Sequence, residues 1–163
     1  MSHNKVIAKL DFELEEINKL LDSYTLLIEA LKTREPDLIE LTAMATILHS
    51  FYNGIEKLFL IIGKEIDKNM PSGIKWHRDL LLQMAEVSDA RPAVVSSDTI
   101  NVLNEYLGFR HFYRHAYSFH LNWDKMKGPA LNIKETWSIV KSELNEFKDT
   151  LRKQRSIEDQ PRN

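Results

Sequence analysis

The stretch that decides the fold is KVIAKLDFELEEINKLLDSYTLLIEALK, residues 5–32. Its apolar residues recur every three or four positions, at Ile7, Leu10, Leu14, Ile17, Leu21, Tyr24, Ile28 and Leu31. Spacing of this kind places one apolar stripe along an α-helix. The stretch therefore predicts a long amphipathic helix. It should end before Pro36, because the residue that precedes a proline is pushed out of the helical conformation.

The rest of the chain repeats this helical pattern. Further helices are predicted at about residues 38–68, 76–87, 98–120 and 132–152, of which the second is short. The turns NMPSG, SDARPAVVSS and GPAL separate them, and GPAL is expected to break the chain at residue 128. No alternating strand pattern occurs, so the expected fold is all-α, an antiparallel bundle of four long helices plus one short helix.

The helix ends and the domain boundary are also open to prediction. Asp37 is placed to begin the second helix, and Ser97 or Asp98 is a fitting N-cap for the fourth. A chain of 163 residues suits one domain. We expect residues 1–152 to form the bundle and the polar residues 153–163 to form a frayed tail.

The composition excludes several classes of protein. Cysteine is absent, which excludes disulfides and cysteine-bound zinc and favours a reducing cytoplasm. The first twenty residues carry acids throughout and lack the apolar core of a signal peptide. The most apolar run, LFLIIG at 58–63, is far shorter than the ~20 residues that span a bilayer. We therefore expect a cytoplasmic protein without a membrane partner.

Basic and aromatic residues are concentrated in GFRHFYRHAYSFH, residues 108–120. The chain has a net charge of −2, yet residues 108–127 hold four lysines and arginines against one acid. One helical stripe here is apolar and is expected to face the core: Val102, Tyr106, Phe109, Phe112 or Tyr113, Ala116 and Phe119. A second stripe changes from aliphatic to cationic: Leu103, Leu107, Arg110, Arg114 and Tyr117. That change indicates either a buried seam that opens onto a cleft or a helix end that emerges into water.

Arg110 and His115 are difficult to bring to one substrate group. On a straight helix their directions diverge by about 140°. Both side chains can act on the same substrate group only if they reach around the helix, if the helix is distorted, or if a second subunit contributes one of them.

Arginine and histidine together suit the cleavage of RNA without a metal. The 2′-hydroxyl can attack the neighbouring phosphodiester if a base removes its proton and an acid protonates the leaving 5′-oxygen. Histidine exchanges protons near neutral pH. Arginine stays charged and binds phosphate oxygens with two donors. Nearby aromatic rings can stack on unpaired bases.

The motif RHFYRHAY, residues 110–117, places a histidine five residues after an arginine and a tyrosine two residues further on. This pattern, late in a small helical protein, resembles the HEPN superfamily and most closely its HepT-like toxins. The resemblance extends to HSFYNGIEKLFLIIGKEID and MPSGIKWHRDLLLQM, which lie within residues 49–84. It covers most of the chain.

The resemblance implies a homodimer that forms along the motif helix and cleaves RNA, such as a tRNA or mRNA, in the cleft between its subunits. It makes Arg110 and His115 the catalytic residues, requires no cofactor or metal, and implies a 2′,3′-cyclic phosphate product. It also implies a type VII-like toxin–antitoxin system, in which an MNT-type nucleotidyltransferase antitoxin modifies Tyr117 with AMP. His111, Arg114 and Tyr117 become RNA-binding or supporting residues. His111 stands where many HEPN proteins carry asparagine or aspartate, so it either shares in catalysis or shapes the pocket.

Other interpretations of these residues stay open. His111 and His115 have metal-binding spacing, but the glutamate of the HExxH pattern is missing, and a third zinc ligand would have to be Asp124 or His120. Arg114 either binds phosphate or pairs with an acid such as Glu56 or Glu105.

Two histidines outside the motif have simpler interpretations. His77, beside Trp76, is expected to be either a helix-start residue or a packing residue, and His49 is expected to join Asn53 and Glu56 in a polar network on the second helix. The alternative function for the whole chain is a non-catalytic HEPN-like module that binds RNA, nucleotide or a partner protein.

Overall fold

A computed structural model describes residues 2–117 and 120–158, including every side chain in these ranges except those of residues 155, 156 and 158. The described residues form α-helices and no β-strand, which confirms the all-α prediction. The helices are α1 (His3–Ser23), α2 (Thr25–Ala30), α3 (Leu38–Ile62), α4 (Trp76–Gln83), α5 (Ser97–His115), α6 (Trp123–Leu131) and α7 (Ile133–Glu158). A π-helical turn, Gly63–Asp67, continues α3. None of the described helices combines the length and the apolar content that a membrane span needs.

The four long predicted helices correspond to α1, α3, α5 and α7. The prediction of a single short helix is wrong, because α2, α4 and α6 are all short. α2 is separate because the chain leaves the helical conformation at Tyr24, where φ is −111° and ψ is 15°. The expected break at GPAL is also wrong, since Gly128 and Pro129 lie inside α6. Its neighbours Met126 and Ala130 are buried, so packing offsets the helical hydrogen bond that Pro129 cannot make.

The start of α3 is fixed by side chains, as predicted. Asp37 accepts a hydrogen bond from the Glu40 backbone at 2.8 Å, and the Glu40 carboxylate accepts one from the Asp37 backbone at 3.1 Å. This reciprocal capping box satisfies two backbone donors that a helix start leaves unpaired. Arg34 donates two further bonds to Glu40 and lowers the pKa of that carboxyl to about 2.

The ends of α5 and α7 differ from the predicted bounds. The N-cap of α5 is Ser96 rather than Ser97 or Asp98, because the Ser96 hydroxyl accepts the Thr99 backbone N–H at 3.2 Å. α5 ends at His115, before the predicted residue 120. α7 continues past residue 153, where the tail was predicted to begin, and the last residues, 159–163, lie outside the described ranges.

α3 is the central helix and packs against α1, α4, α5 and α6. Its apolar run around LFLIIG supplies the buried residues Leu58, Phe59 and Ile62. α7 covers α1, α5 and α6 with its predicted stripe, every member of which is buried: Ile133, Trp137, Val140, Leu144, Phe147 and Leu151. One apolar core thus fixes the position of α5, the helix that carries most of the motif, against α3.

Candidate functional site

The orientation of α5 differs from the predicted one. Val102 was expected in the core but is 40% exposed, whereas Leu103 of the second stripe is fully buried beside Tyr106. Phe109 is half-buried, and Phe119, also predicted for the core stripe, lies outside the described residues. Compared with the prediction, α5 is therefore rotated about its axis so that the second stripe turns toward the core. The aliphatic part of that stripe is the buried seam that the sequence analysis considered. The periodicity of two adjoining apolar stripes could not show which one α3 would cover.

Arg110 lies where this buried seam ends. Its side chain is half-buried, and its Nε donates a hydrogen bond to Asn53 Oδ1 of α3 at 3.1 Å. In the described part of the chain, neither Nη atom of Arg110 has a hydrogen-bond or ion-pair partner. The guanidinium is thus held through one nitrogen, and its two terminal nitrogens remain for an anion.

His49 extends the contact of Arg110 along α3. The Asn53 side chain amide nitrogen lies 3.1 Å from His49 Nε2. The His49 ring packs against Tyr113 of α5, with ring centroids 4.8 Å apart, and the Tyr113 hydroxyl lies 3.3 Å from the Thr46 hydroxyl. Burial, together with the charges of Arg110 and Arg114, lowers the pKa of His49. The predicted polar network of His49 and Asn53 is confirmed, and it includes the motif arginine.

Glu56, also expected in that network, pairs with His77 instead. Its carboxylate is buried and lies 2.6 Å from His77 Nδ1, while the His77 ring stacks on Trp76 at a centroid distance of 3.6 Å. The packing role predicted for His77 is therefore confirmed. Burial and the Glu56 charge raise the pKa of the neighbouring Tyr52, against the opposing effect of Arg110.

The last turn of α5 carries the other motif residues. His111 and His115 are exposed neighbours with ring centroids 5.1 Å apart. Arg114 is exposed, and within the described ranges it forms no ion pair with Glu56 or Glu105. Cationic side chains are favourable at this end because the last carbonyls of a helix carry partial negative charge. Arg114 is thus positioned to meet an anion from solvent.

Tyr117 lies just beyond the helix. The chain turns extended at Ala116, and the Tyr117 side chain is 72% exposed. The backbone N–H of His120 donates to the Tyr117 carbonyl at 2.9 Å, and the two rings are 6.1 Å apart. The phenol is therefore at the surface and at the same end of α5 as His115.

Arg110 and His115 are not joined by any hydrogen bond or ring contact recorded for the described residues of this single chain. Arg110 is anchored on α3, whereas His115 is exposed on the terminal turn. Among the described residues no group of three or more histidines, aspartates and glutamates could hold a metal ion, so the zinc interpretation lacks a third ligand there.

A family model for HepT-like proteins matches residues 43–151, about two thirds of the chain. The chain belongs to the HepT-like family. This confirms the resemblance to HepT-like members of the HEPN superfamily. The match begins in α3 and ends in α7, so it spans Asn53 and the entire motif helix. No curated protein and no solved structure matches this HepT-like chain.

Sequence reasoning missed the role of Asn53. The spacing of His49 and Asn53 indicates a shared helix face. It does not indicate which helix covers that face, because the contact joins residues that are far apart in the chain. The second stripe of α5 could have indicated this contact. Its apolar residues Leu103 and Leu107 suggest that the next member, Arg110, is partly buried and therefore needs a polar partner.

Proposed function

We propose that this HepT-like protein is the metal-independent endoribonuclease toxin of a type VII-like toxin–antitoxin module. The observation that carries the proposal is the state of Arg110, whose Nε is occupied by Asn53 while both Nη atoms lack partners among the described residues. An arginine held in this way can bind two phosphate oxygens at once. The family and the exposed His115 on the same helix support the same conclusion.

The proposed reaction begins at the 2′-hydroxyl of RNA. One His115 imidazole removes the proton as the 2′-oxygen forms a bond to phosphorus, and Arg110 stabilises the additional negative charge on the phosphorane. The bond from phosphorus to the 5′-oxygen then breaks, and a protonated imidazole supplies the proton to that oxygen. The products are a 2′,3′-cyclic phosphate and a 5′-hydroxyl end.

Two subunits would supply these groups. Within one chain the directions of Arg110 and His115 diverge by about 140° on a straight helix. A two-fold dimer along α5 brings two arginines and two histidines to one cleft, which provides both a base and an acid. A mixed dimer of one Arg110→Ala and one His115→Ala subunit keeps one arginine and one histidine in the cleft. The imidazole that takes the proton from the 2′-hydroxyl can then give it to the 5′-oxygen, so the mixture should recover part of the activity that each variant lacks alone. No recovery after subunit exchange would contradict a shared cleft.

Cleavage is tested by incubating the purified protein with total RNA in EDTA. We expect cleavage by the wild type, loss of cleavage in Arg110→Ala and His115→Ala, and normal cleavage in the control Arg78→Ala, which changes an exposed arginine on α4. The new ends should accept phosphate from a 5′-polynucleotide kinase. Intact RNA with every variant and with the wild type would contradict the proposal.

Silencing is proposed to occur at Tyr117. Transfer of AMP from ATP to the phenol oxygen, with release of pyrophosphate, would place a bulky anion beside His115 and compete with RNA. Co-expression with a nucleotidyltransferase antitoxin should add the mass of one or more adenylyl groups at Tyr117, and Tyr117→Phe should stay toxic. Loss of toxicity without modification would indicate silencing by contact.

One observation favours the alternative, an RNA-, nucleotide- or partner-binding module without catalysis. No carboxylate or carbonyl among the described residues orients the His115 ring. Catalytic histidines commonly have such a partner. RNA that binds tightly and stays intact would support the module.

A further inference from the structure

Asn53 and His49 are connected to Arg110 by consecutive hydrogen bonds. Arg110 Nε lies 3.1 Å from Asn53 Oδ1, and Asn53 Nδ2 lies 3.1 Å from His49 Nε2. Asn53 and His49 are one turn apart on α3, so the two bonds run from α5 across the helix interface and along the face of α3.

The chemistry of the groups fixes the direction of these bonds. A guanidinium nitrogen can only donate, so the Asn53 atom that faces Arg110 must be the carbonyl oxygen. The Asn53 NH₂ then faces His49 as a donor, and His49 Nε2 must accept with its lone pair. His49 is therefore a neutral imidazole whose hydrogen is on Nδ1.

The surroundings of His49 agree with a neutral ring. Its Nδ1 atom is buried without a hydrogen-bond partner among the described residues, and Tyr113 covers the ring. An unpaired N–H in this position costs less on a neutral ring than on a charged one. Arg110 and Arg114 of α5 are the charges that act on it, and with burial they lower its pKa. Protonated His49 would direct an N–H at the Asn53 NH₂, and the two donors would repel.

We propose that Asn53 and His49 are positioning residues, which orient the guanidinium of Arg110 through Nε and thereby keep its two Nη atoms available for a phosphate group. The identity of that phosphate, an RNA linkage, rests on the proposed function; the orientation does not. An asparagine suits this role better than an aspartate would. Its carbonyl oxygen holds Nε without neutralising the cation, whereas a carboxylate would form an ion pair with it.

A matched set of variants separates orientation from folding. His49→Gln keeps an acceptor for Asn53, His49→Leu removes it, and Asn53→Leu removes both bonds at nearly constant volume. Asn145→Leu, at an exposed position on α7, is the control for introducing a leucine. Melting temperatures and circular dichroism identify any variant that does not fold, and the His49 pair remains informative if Asn53→Leu fails.

Nitrogen NMR of the free protein tests the orientation without RNA. The Arg110 Nε–H should give a slowly exchanging signal in the wild type and in His49→Gln. In His49→Leu and Asn53→Leu it should shift and exchange faster. The His49 ring should show the tautomer with hydrogen on Nδ1. In Asn53→Asp its pKa should rise, since a carboxylate would favour the protonated ring. An Arg110 signal that is the same in all variants, or a hydrogen on Nε2 in the wild type, would overturn the proposal.

RNA cleavage gives the second measurement. His49→Leu should lower kcat on the order of tenfold with a smaller change in KM, because a misplaced cation loses its effect mainly in the transition state. His49→Gln should restore most of that loss, and Asn145→Leu should cleave like the wild type. Equal losses in His49→Gln and His49→Leu would contradict positioning. If the wild type does not cleave RNA, the proposed function fails, while the NMR result still decides the orientation of Arg110.

Discussion

Gly54 of α3 and Ile17 of α1 are so close that a Cβ added to Gly54 would lie 2.7 Å from Ile17 Cγ1 and 3.0 Å from its Cδ1. Real Cβ atoms do not approach other carbons to this distance. The glycine therefore sets the separation of the two helices, and the adjacent residue Asn53 holds Arg110 at the same level of the bundle.

Replacing Gly54 with alanine should destabilise the protein. The added methyl group forces Ile17 and the facing helices apart, and such overpacking costs about 1–3 kcal/mol of the free energy of unfolding. Chemical denaturation measures the loss. Gly108→Ala on α5 is the control, since apart from the chain neighbours and the backbone of its own helix nothing lies within 4 Å of a Cβ at that position. Equal stabilities for the two variants would show that α1 and α3 separate freely.

Removing the Arg91 side chain should cause a larger loss of stability. Arg91 is 3% exposed, donates to both Asp67 carboxylate oxygens at 2.5 and 2.7 Å, and also donates to three backbone carbonyls, those of Gln83, Glu86 and Pro92. Arg91→Met leaves Asp67 buried without its cation, which costs about 3–5 kcal/mol.

The measurement for Arg91 is urea denaturation followed by circular dichroism. Arg91→Lys should fall between wild type and Arg91→Met, because an ammonium keeps the charge but cannot make five directed bonds. Arg78→Met on the exposed face of α4 should be nearly neutral. A loss of less than about 1 kcal/mol in Arg91→Met would place this contact among ordinary surface pairs.

The stability of the wild type should depend on pH through His49. The pKa of His49 is lowered in the folded protein from an ordinary value of 6.5. The unfolded chain therefore takes up a proton first as the pH falls below that value. The contribution of His49 is complete above the unfolded pKa and is lost as the pH falls through the folded pKa.

This pH effect is measured by comparing wild type with His49→Gln at about pH 7.5 and about pH 5. Both proteins lose stability through their other titrating groups, but the wild type should lose more. An equal or smaller loss in the wild type would mean that His49 takes up its proton as easily in the fold as in the unfolded chain.

Tyr106 should matter at high pH. Its hydroxyl donates to the Pro129 carbonyl at 2.8 Å, and burial raises its pKa to about 12. Tyr106→Phe leaves that carbonyl without its donor, which costs about 1–3 kcal/mol at neutral pH. Because this pKa is raised in the folded protein, the contribution of Tyr106 to the free energy of unfolding is complete below the ordinary pKa of 10. It is lost as the pH rises toward 12.

The alkaline loss should be less steep in Tyr106→Phe than in the wild type, when both are followed by denaturation at increasing pH. Tyr24→Phe, which changes a tyrosine that is 42% exposed, is the control and should follow the wild type. Parallel curves for Tyr106→Phe and wild type would contradict the assignment of the raised pKa.

Much of the fold could be predicted because its signals are local. The apolar stripe of α7, the capping residue Asp37 and the four long helices follow from spacing and from side chains next to the helix start. The inclusion of Pro129 in α6 could not be predicted, since the burial of its neighbours outweighs the usual effect of a proline.

The candidate site was predictable only in part. The resemblance predicts that Arg110 and His115 are the catalytic residues, and periodicity shows that their directions diverge on the helix. The pairing of Glu56 with His77 depends on how α4 packs against α3. The pairing of Arg110 with Asn53 depends on which face of α5 meets α3. Two neighbouring apolar stripes made that choice ambiguous, and only packing of the whole bundle resolves it.

The contrast between the two ends of the motif has an evolutionary consequence. Arg110 is fastened to the interior through Asn53, while Arg114 and Tyr117 stand exposed where α5 terminates. On the proposed function, a substitution at Arg114 or Tyr117 should alter recognition at the protein surface, whereas a substitution at Asn53 should also affect the contact between α3 and α5. We therefore expect relatives of this protein to vary at Arg114 and Tyr117 as their RNA targets and antitoxins change. We expect them to retain Asn53 and Arg110.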